Sequence, residues 1–139
     1  MKINSIAASS LVVMSLLLTA AGAYAQSAVQ AHVPFAFKVG QKQMPAGTYV
    51  IDREFGSSFV TVRNIETGTS VQALGRTESA SKKTKKLIFH HYGSQYLLAE
   101  IWGAAGSQGM VLPATRQEKD LELAQGSMNA GNNVEVASR

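Results

Sequence analysis

The chain contains no cysteine. That absence removes disulfides, thiol nucleophiles and cysteine-ligated zinc, together with the acylated cysteine on which a lipoprotein anchor depends. Stability in an oxidising compartment then rests on packing and hydrogen bonds. Chemical motifs are equally scarce. No G-x-S-x-G nucleophile elbow occurs, so serine hydrolysis has no recognisable frame. Gly103, Gly106 and Gly109 lack the following Lys-Ser/Thr and the βαβ setting of a phosphate loop, and read as a flexible connector. Charge of one sign is only mildly in excess: 13 basic against 9 acidic residues give +4, or +3 once Lys2 is removed. That is too little for a dedicated nucleic-acid binder.

The longest apolar stretch is at the N-terminus. Met1-Lys2 precedes an uncharged run from Ile6 to Ala21, and Ala23-Tyr24-Ala25 places small residues before Gln26. This is the order of a secretory signal peptide over residues 1–25, with cleavage after Ala25. A retained transmembrane anchor needs about 20 apolar residues, and this run is broken by Ser15, Thr19 and Gly22. Removing 25 residues from 139 leaves 114, the size of one domain with one core.

Past that point the hydrophobic period is two. Val33, Phe35, Phe37 and Val39 alternate with polar or small residues, which predicts a strand, and Pro34 makes it an edge or bulged one. Met44-Pro45-Ala46-Gly47 has turn chemistry leading into a hairpin. Strands are predicted over Thr48 to Arg53, Phe59 to Asn64 and Ser70 to Leu74, and Arg76 to Lys85 reads as a polar loop or hairpin tip. The clearest hairpin is Lys86 to Tyr92, Gly93-Ser94, Gln95 to Trp102. Uniform register there puts His91 opposite Tyr96, Phe89 opposite Leu98 and Leu87 opposite Glu100, with both faces largely apolar and therefore covered. Met110 to Leu112 is a short strand. Thr115-Arg116-Gln117-Glu118 fits a capping box, in which the Glu reaches back to the cap amide, opening a helix over about 115–125 that ends at Gly126 and docks weakly. The single β domain spans 26–126, and residues 127–139 read as a disordered tail. Short strands joined by turns predict an all-β, antiparallel meander forming a small sandwich or barrel, with one short C-terminal helix.

Four segments in order, Val33-Pro34-Phe35-Ala36-Phe37-Lys38-Val39-Gly40, Pro45-Ala46-Gly47-Thr48-Tyr49, Leu87-Ile88-Phe89-His90-His91-Tyr92-Gly93 and Tyr96-Leu97-Leu98-Ala99-Glu100-Ile101-Trp102, make a pattern VPFxFxVG, PAGxY, LxFxxYG, YxLxxIW. The chain thereby resembles, from about Val33 to Leu123, a family of short exported bacterial proteins with no assigned activity. The resemblance implies turn and core signatures and no particular chemistry.

Candidate sites follow from residue type. His90 and His91 are adjacent on a strand, so their rings point to opposite faces and cannot share an ion without His32, Glu100 or Asp52. Asp52 and Glu54 share a strand face as a like-charged pair, and Asp120 is the other Asp. No catalytic, cofactor or metal residue is assigned. Lys82, Lys83, Lys85 and Lys86 form the strongest charge cluster, able to contact an anion but without interleaved aromatics for base stacking. Tyr49, Tyr92, Tyr96 and Trp102 are the possible ligand contacts, since flat rings stack on sugars or apolar ligands. The function expected is a noncatalytic exported domain, periplasmic or extracellular, that binds an envelope glycan, a lipid headgroup or a protein. The alternative is a small-molecule carrier with Phe35, Phe37, Tyr49, Phe89, Tyr96 and Trp102 around a barrel pocket. A hydrolase without a recognisable motif comes third.

Overall fold

A computed structural model describes residues 28–53, 56–79, 85–103, 108–125 and 133–139. The signal-peptide expectation over 1–25 lies outside these residues. Among the described residues no helix is long and apolar enough to cross a membrane.

Alternation of β-branched or aromatic residues with polar ones produces β1 (Ala28–Val33), β4 (Gly47–Arg53), β5 (Phe59–Asn64) and β6 (Ser70–Leu74). They form an antiparallel sheet in the order β1-β4-β5-β6, with Val29, Ala31, Val33, Tyr49, Ile51, Val60 and Val62 on the buried face. The second sheet contains β7 (Arg76–Ser79), β8 (Lys86–Tyr92), β9 (Gln95–Trp102), β10 (Gln108–Val111) and β11 (Asn133–Ala137), in the order β11-β8-β9-β10-β7. A small hairpin of β2 (Phe37–Val39) and β3 (Lys42–Met44) touches β9 in parallel at Lys38 and Leu97. Among the described residues one helix, α1 (Arg116–Gln125), lies near the C-terminus.

The fold is therefore all-β with a short C-terminal helix, as the pattern predicts. The consecutive pairings of a meander hold for β4-β5-β6 and for β8-β9-β10, while β1 reaches past the β2–β3 hairpin to β4 and β11 returns to β8. The sheets join at two corners. Only Gly75 separates β6 from β7, so one bent strand passes from the first sheet to the second. A Cβ on Gly75 would sit 2.4 Å from Met110 Cγ, which is why the bend takes glycine. At the other corner Ala31 bridges Ser138, and Gln30 and Arg139 exchange backbone bonds of 3.2 and 2.8 Å. Two sheets joined at both corners make a flattened barrel. Phe37, Met44, Tyr49, Leu87, Phe89 and Met110 fill it, each under 2% exposed.

Four sequence expectations change. Val33–Val39 is not one strand: Pro34 has no amide for a ladder, and the chain leaves β1 after Val33 paired to Gly47 and re-enters as β2 paired to β3. The β8–β9 register matches expectation from Tyr92–Gln95 through Phe89–Leu98. It then shifts at Ile88/Phe89, so that Ile88 faces Glu100 and Leu87 faces Ile101. The bulge leaves Ala99 without a partner on β8, moves Ile101 into the core and turns Trp102 out of it. Residues Arg76–Ser79 of the expected polar loop are strand β7, paired with β10, and 80–84 lie outside the described residues. The tail expected to be disordered contains β11 over Asn133–Ala137, which lies beside β8 with Val134 and Val136 packed on the core. Alternating Val134-Glu135-Val136 suits a strand with one covered face, and β8 supplies the unpaired edge.

Candidate functional site

Among the described residues the barrel wall is incomplete between β6 and β9. β6 ends its sheet, and across from it stand the β2–β3 turn, Leu97 and Leu98 of β9, and the irregular Leu112–Thr115 segment. The space is a groove of about 430 Å³, with Val39, Val71, Ala73, Leu97, Leu112 and Pro113 among its apolar walls. A second hollow of about 240 Å³ beside Gly75, Arg76 and Val111 shares Leu74 and Pro113 with it, so the two run on along the same strand. Leu74, which lines both, and its cross-strand neighbour Phe59 are each 54% exposed.

The backbone of β6 faces this groove in a defined pattern. Asn64 donates to the Thr69 carbonyl and Gly75 to the Ser58 carbonyl, both at 2.8 Å. Antiparallel pairing alternates, so with those ends fixed Val71 and Ala73 direct their amides and carbonyls to β5. Ser70, Gln72 and Leu74 direct theirs away from it. The Ser70 carbonyl accepts from Lys42 Nζ at 3.0 Å, in agreement with this assignment.

Behind the groove a carboxylate fastens α1 to β8. The Thr115 hydroxyl accepts the Glu118 amide at 3.1 Å, the half of the capping box that closes the first turn. The Glu118 side chain does not return to the cap amide. It crosses to β8, where Oε1 accepts from His90 Nδ1 at 2.6 Å and from the Tyr92 hydroxyl at 3.3 Å, and the residue is only 7% exposed. An ionised carboxylate has no proton to give, so Nδ1 carries the hydrogen. This bond, with the negative charges of Glu118, Glu100 and Glu122 adding to it against partial burial, holds the His90 imidazolium above its ordinary pKa of 6.5. Burial, and then the Glu118 and Glu122 charges, push the Tyr92 phenol up to about 12. His90 and Tyr92 are two apart on one strand and therefore share a face, while His91 points away to stack on Tyr96 with ring centroids 4.3 Å apart. Among the described residues no three His, Asp or Glu side chains are placed to hold a metal.

The expected contact residues do not converge. Tyr49 is wholly buried, its hydroxyl donating to the Pro45 carbonyl and its ring edge-on to Phe37 at 5.0 Å, so it is a core residue with no face for a ligand. Tyr92 belongs to the carboxylate clamp. Tyr96 stacks on both Phe35, at 4.0 Å, and His91. Trp102 lies over Gly109, where a Cβ would come within 2.1 Å of its ring, and its indole donates to Glu100 at 2.6 Å. The rings that a carrier would place around a pocket lean on one another instead: Phe89 is 5.1 Å from both Phe35 and Phe37. His32 bonds Thr48 at 3.2 Å, away from the other imidazoles. Lys86 pairs with Glu135 at 2.8 Å across β8 and β11, Lys85 is exposed, and Lys82 and Lys83 lie outside the described residues.

Sequence reasoning missed Glu118 and the groove. Glu118 carried a local explanation, the capping box, which concealed its longer reach; the available signal was a helix with too few apolar anchors to dock without another attachment. Compared with known proteins, the chain matches no family model, no curated protein and no solved structure.

Proposed function

We propose that the chain is an exported, noncatalytic binding domain that takes a protein partner in the groove beside β6. The observation that carries the reading is the β6 edge, open among the described residues, facing apolar walls across a gap in an otherwise joined barrel. Of the partners considered, a glycan needs polar or flat aromatic surfaces and a lipid headgroup needs clustered charge. An apolar lining beside unpaired backbone groups fits a polypeptide better. Glu118 acts as an attachment in this reading, since both donors to its Oε1 come from β8, the strand it fastens. Export rests on the signal-like order of residues 1–25 and on the resemblance to short exported proteins.

Photocrosslinking in a host that exports the protein tests this. A benzophenone side chain at Leu74, in the groove, is compared with one at Asp52, exposed on β4. The expected result is a polypeptide adduct at Leu74 and not at Asp52. Equal labelling at both positions, or a glycan or lipid adduct at Leu74, overturns the proposal. A bound species of a few hundred daltons in a native mass spectrum favours the carrier alternative.

A further inference from the structure

Resting on the groove reading, we infer that β6 is a strand-addition edge: an extended peptide pairs antiparallel with Ser70–Leu74 and sets a carboxylate at its C-terminal end beside Lys42.

Three observations support this. The outward amides and carbonyls of Ser70, Gln72 and Leu74 repeat at every second residue, the spacing a partner strand reads. Edges that must stay free usually carry charge, proline or a bulge. The edge strand β7 follows that rule, with Arg76 and Glu78 paired at 2.6 Å, but Ser70-Val71-Gln72-Ala73-Leu74 has no charged residue and no proline. Finally, a cation marks one end. Lys42 bonds the Ser70 carbonyl at 3.0 Å, and among the described residues it has no carboxylate within ion-pair distance. An incoming amide replaces the Lys42 ammonium on Ser70 and frees it for an anion. Lys42 lies at the start of β6, which is where an antiparallel partner ends, so the complementary charge belongs at the C-terminal end of the peptide. Its alternate side chains, turned toward Val71, Ala73, Leu97 and Leu112, are apolar.

The test uses the ¹⁵N-labelled chain from residue 26 onward and the acetylated hexapeptide Ser-Val-Thr-Val-Ser-Val in three forms: free C-terminus, C-terminal amide, and an amide with Asp in the last position. The free-acid probe is expected to slow exchange of the Gln72 and Leu74 amides, with little change at Val71 and Ala73, which are already paired. Amidation is expected to weaken binding about tenfold, equivalent to about 1.4 kcal/mol. The Asp form distinguishes a side-chain carboxylate from a terminal one by whether it restores the affinity. Gln72→Pro removes an outward donor that no described residue of the domain uses, and abolishes binding where Gln72→Ala retains it. If Gln72→Pro unfolds, methylating the probe's own amides at alternate positions gives the same answer without altering the protein: one set abolishes binding and the other is tolerated. Equal binding by both methylated sets, with shifts still at Leu74 and Leu112, overturns strand addition and leaves the groove reading standing. Shifts confined to residues remote from β6 and Leu112–Thr115 overturn both. Equal affinity of acid and amide forms overturns the carboxylate assignment.

Discussion

Glu118→Gln keeps the size of the side chain and removes its charge, which isolates what the carboxylate contributes to holding α1. The helix offers little else. Leu121 is half-buried, while Leu123 is 81% exposed and Ala124 is also exposed, so apolar contact anchors α1 weakly. A hydrogen bond to a charged group contributes about 1.5–3 kcal/mol. The His90 side chain is 35% exposed, and water screens the pair and can solvate the imidazole after release, which brings the expected loss to about 1–2 kcal/mol. That is roughly a 5- to 30-fold change in the opening equilibrium. It is read from amide exchange of Leu121–Gln125, corrected for intrinsic rates, against the β9 amides of Leu97–Ala99, which should not change. The pH dependence has a fixed sign. His90 is held above 6.5 in the docked state, chiefly by its bond to Glu118. Below about pH 6.5 the ring is charged whether α1 is docked or released, and the full contribution is present. As pH rises through the elevated docked value the contribution is lost. Wild-type α1 should therefore be best protected near pH 6 and less so above the raised pKa, and the variant should show little of this dependence. Unchanged α1 protection in Glu118→Gln at pH 6, or a wild-type pH profile in the variant, would refute the reasoning.

Three other outcomes are expected. Gly109→Ala drives a Cβ to 2.1 Å from the Trp102 ring, and overpacking of this kind costs about 1–3 kcal/mol, measurable as a lower urea midpoint with unchanged m-value. Asn64→Ala removes a wholly buried Oδ1 that accepts the Glu66 and Thr67 amides at 2.8 and 3.0 Å. It should destabilise by about 1–3 kcal/mol in thermal unfolding, whereas Thr67→Ala should change little. Ending the chain at Asn132 deletes β11 and uncovers the edge of β8. Loss of the half-buried Val134 and Val136 and of the Gln30–Arg139 corner should cost about 2–4 kcal/mol, and an unchanged melting midpoint would mean that β11 adds nothing.

What could be read from the sequence is what neighbouring residues decide. Phe59–Asn64 and Ser70–Leu74 form the strands that their alternation predicts, and Gly93, at φ 59°, makes the two-residue turn that sets the first four pairs of the β8–β9 register. The divergence of His90 and His91 followed from strand geometry alone. The bulge at Ala99 could not be read in this way, because an extra residue is defined only against its partner. β7 has no apolar period and becomes a strand because β10 lies beside it. β11 did carry an alternating signal, Val134-Glu135-Val136, which its Asn- and Gly-containing surroundings outweighed when read locally.

The candidate site was the least legible part, for a related reason. Tyr49, Tyr92, Tyr96 and Trp102 were chosen by type, and which of them meets solvent depends on how the sheets close: Tyr49 faces the interior of both joined sheets, while the Ala99 bulge turns Trp102 out of the core. Among the described residues the groove is marked by a missing strand, and no residue encodes a strand that is absent. Its indirect trace is the lack of charge in Ser70–Leu74, which becomes informative only once β6 is known to be an edge. In the middle of a sheet the same five residues would be unremarkable. At an edge they leave Gln72 and Leu74 unprotected among the described residues, and Lys42 sits at the first acceptor of that line of backbone groups. A sequence that covers one end of an edge and leaves the rest bare has the polarity a directional partner requires, and that asymmetry is what the proposed strand addition rests on.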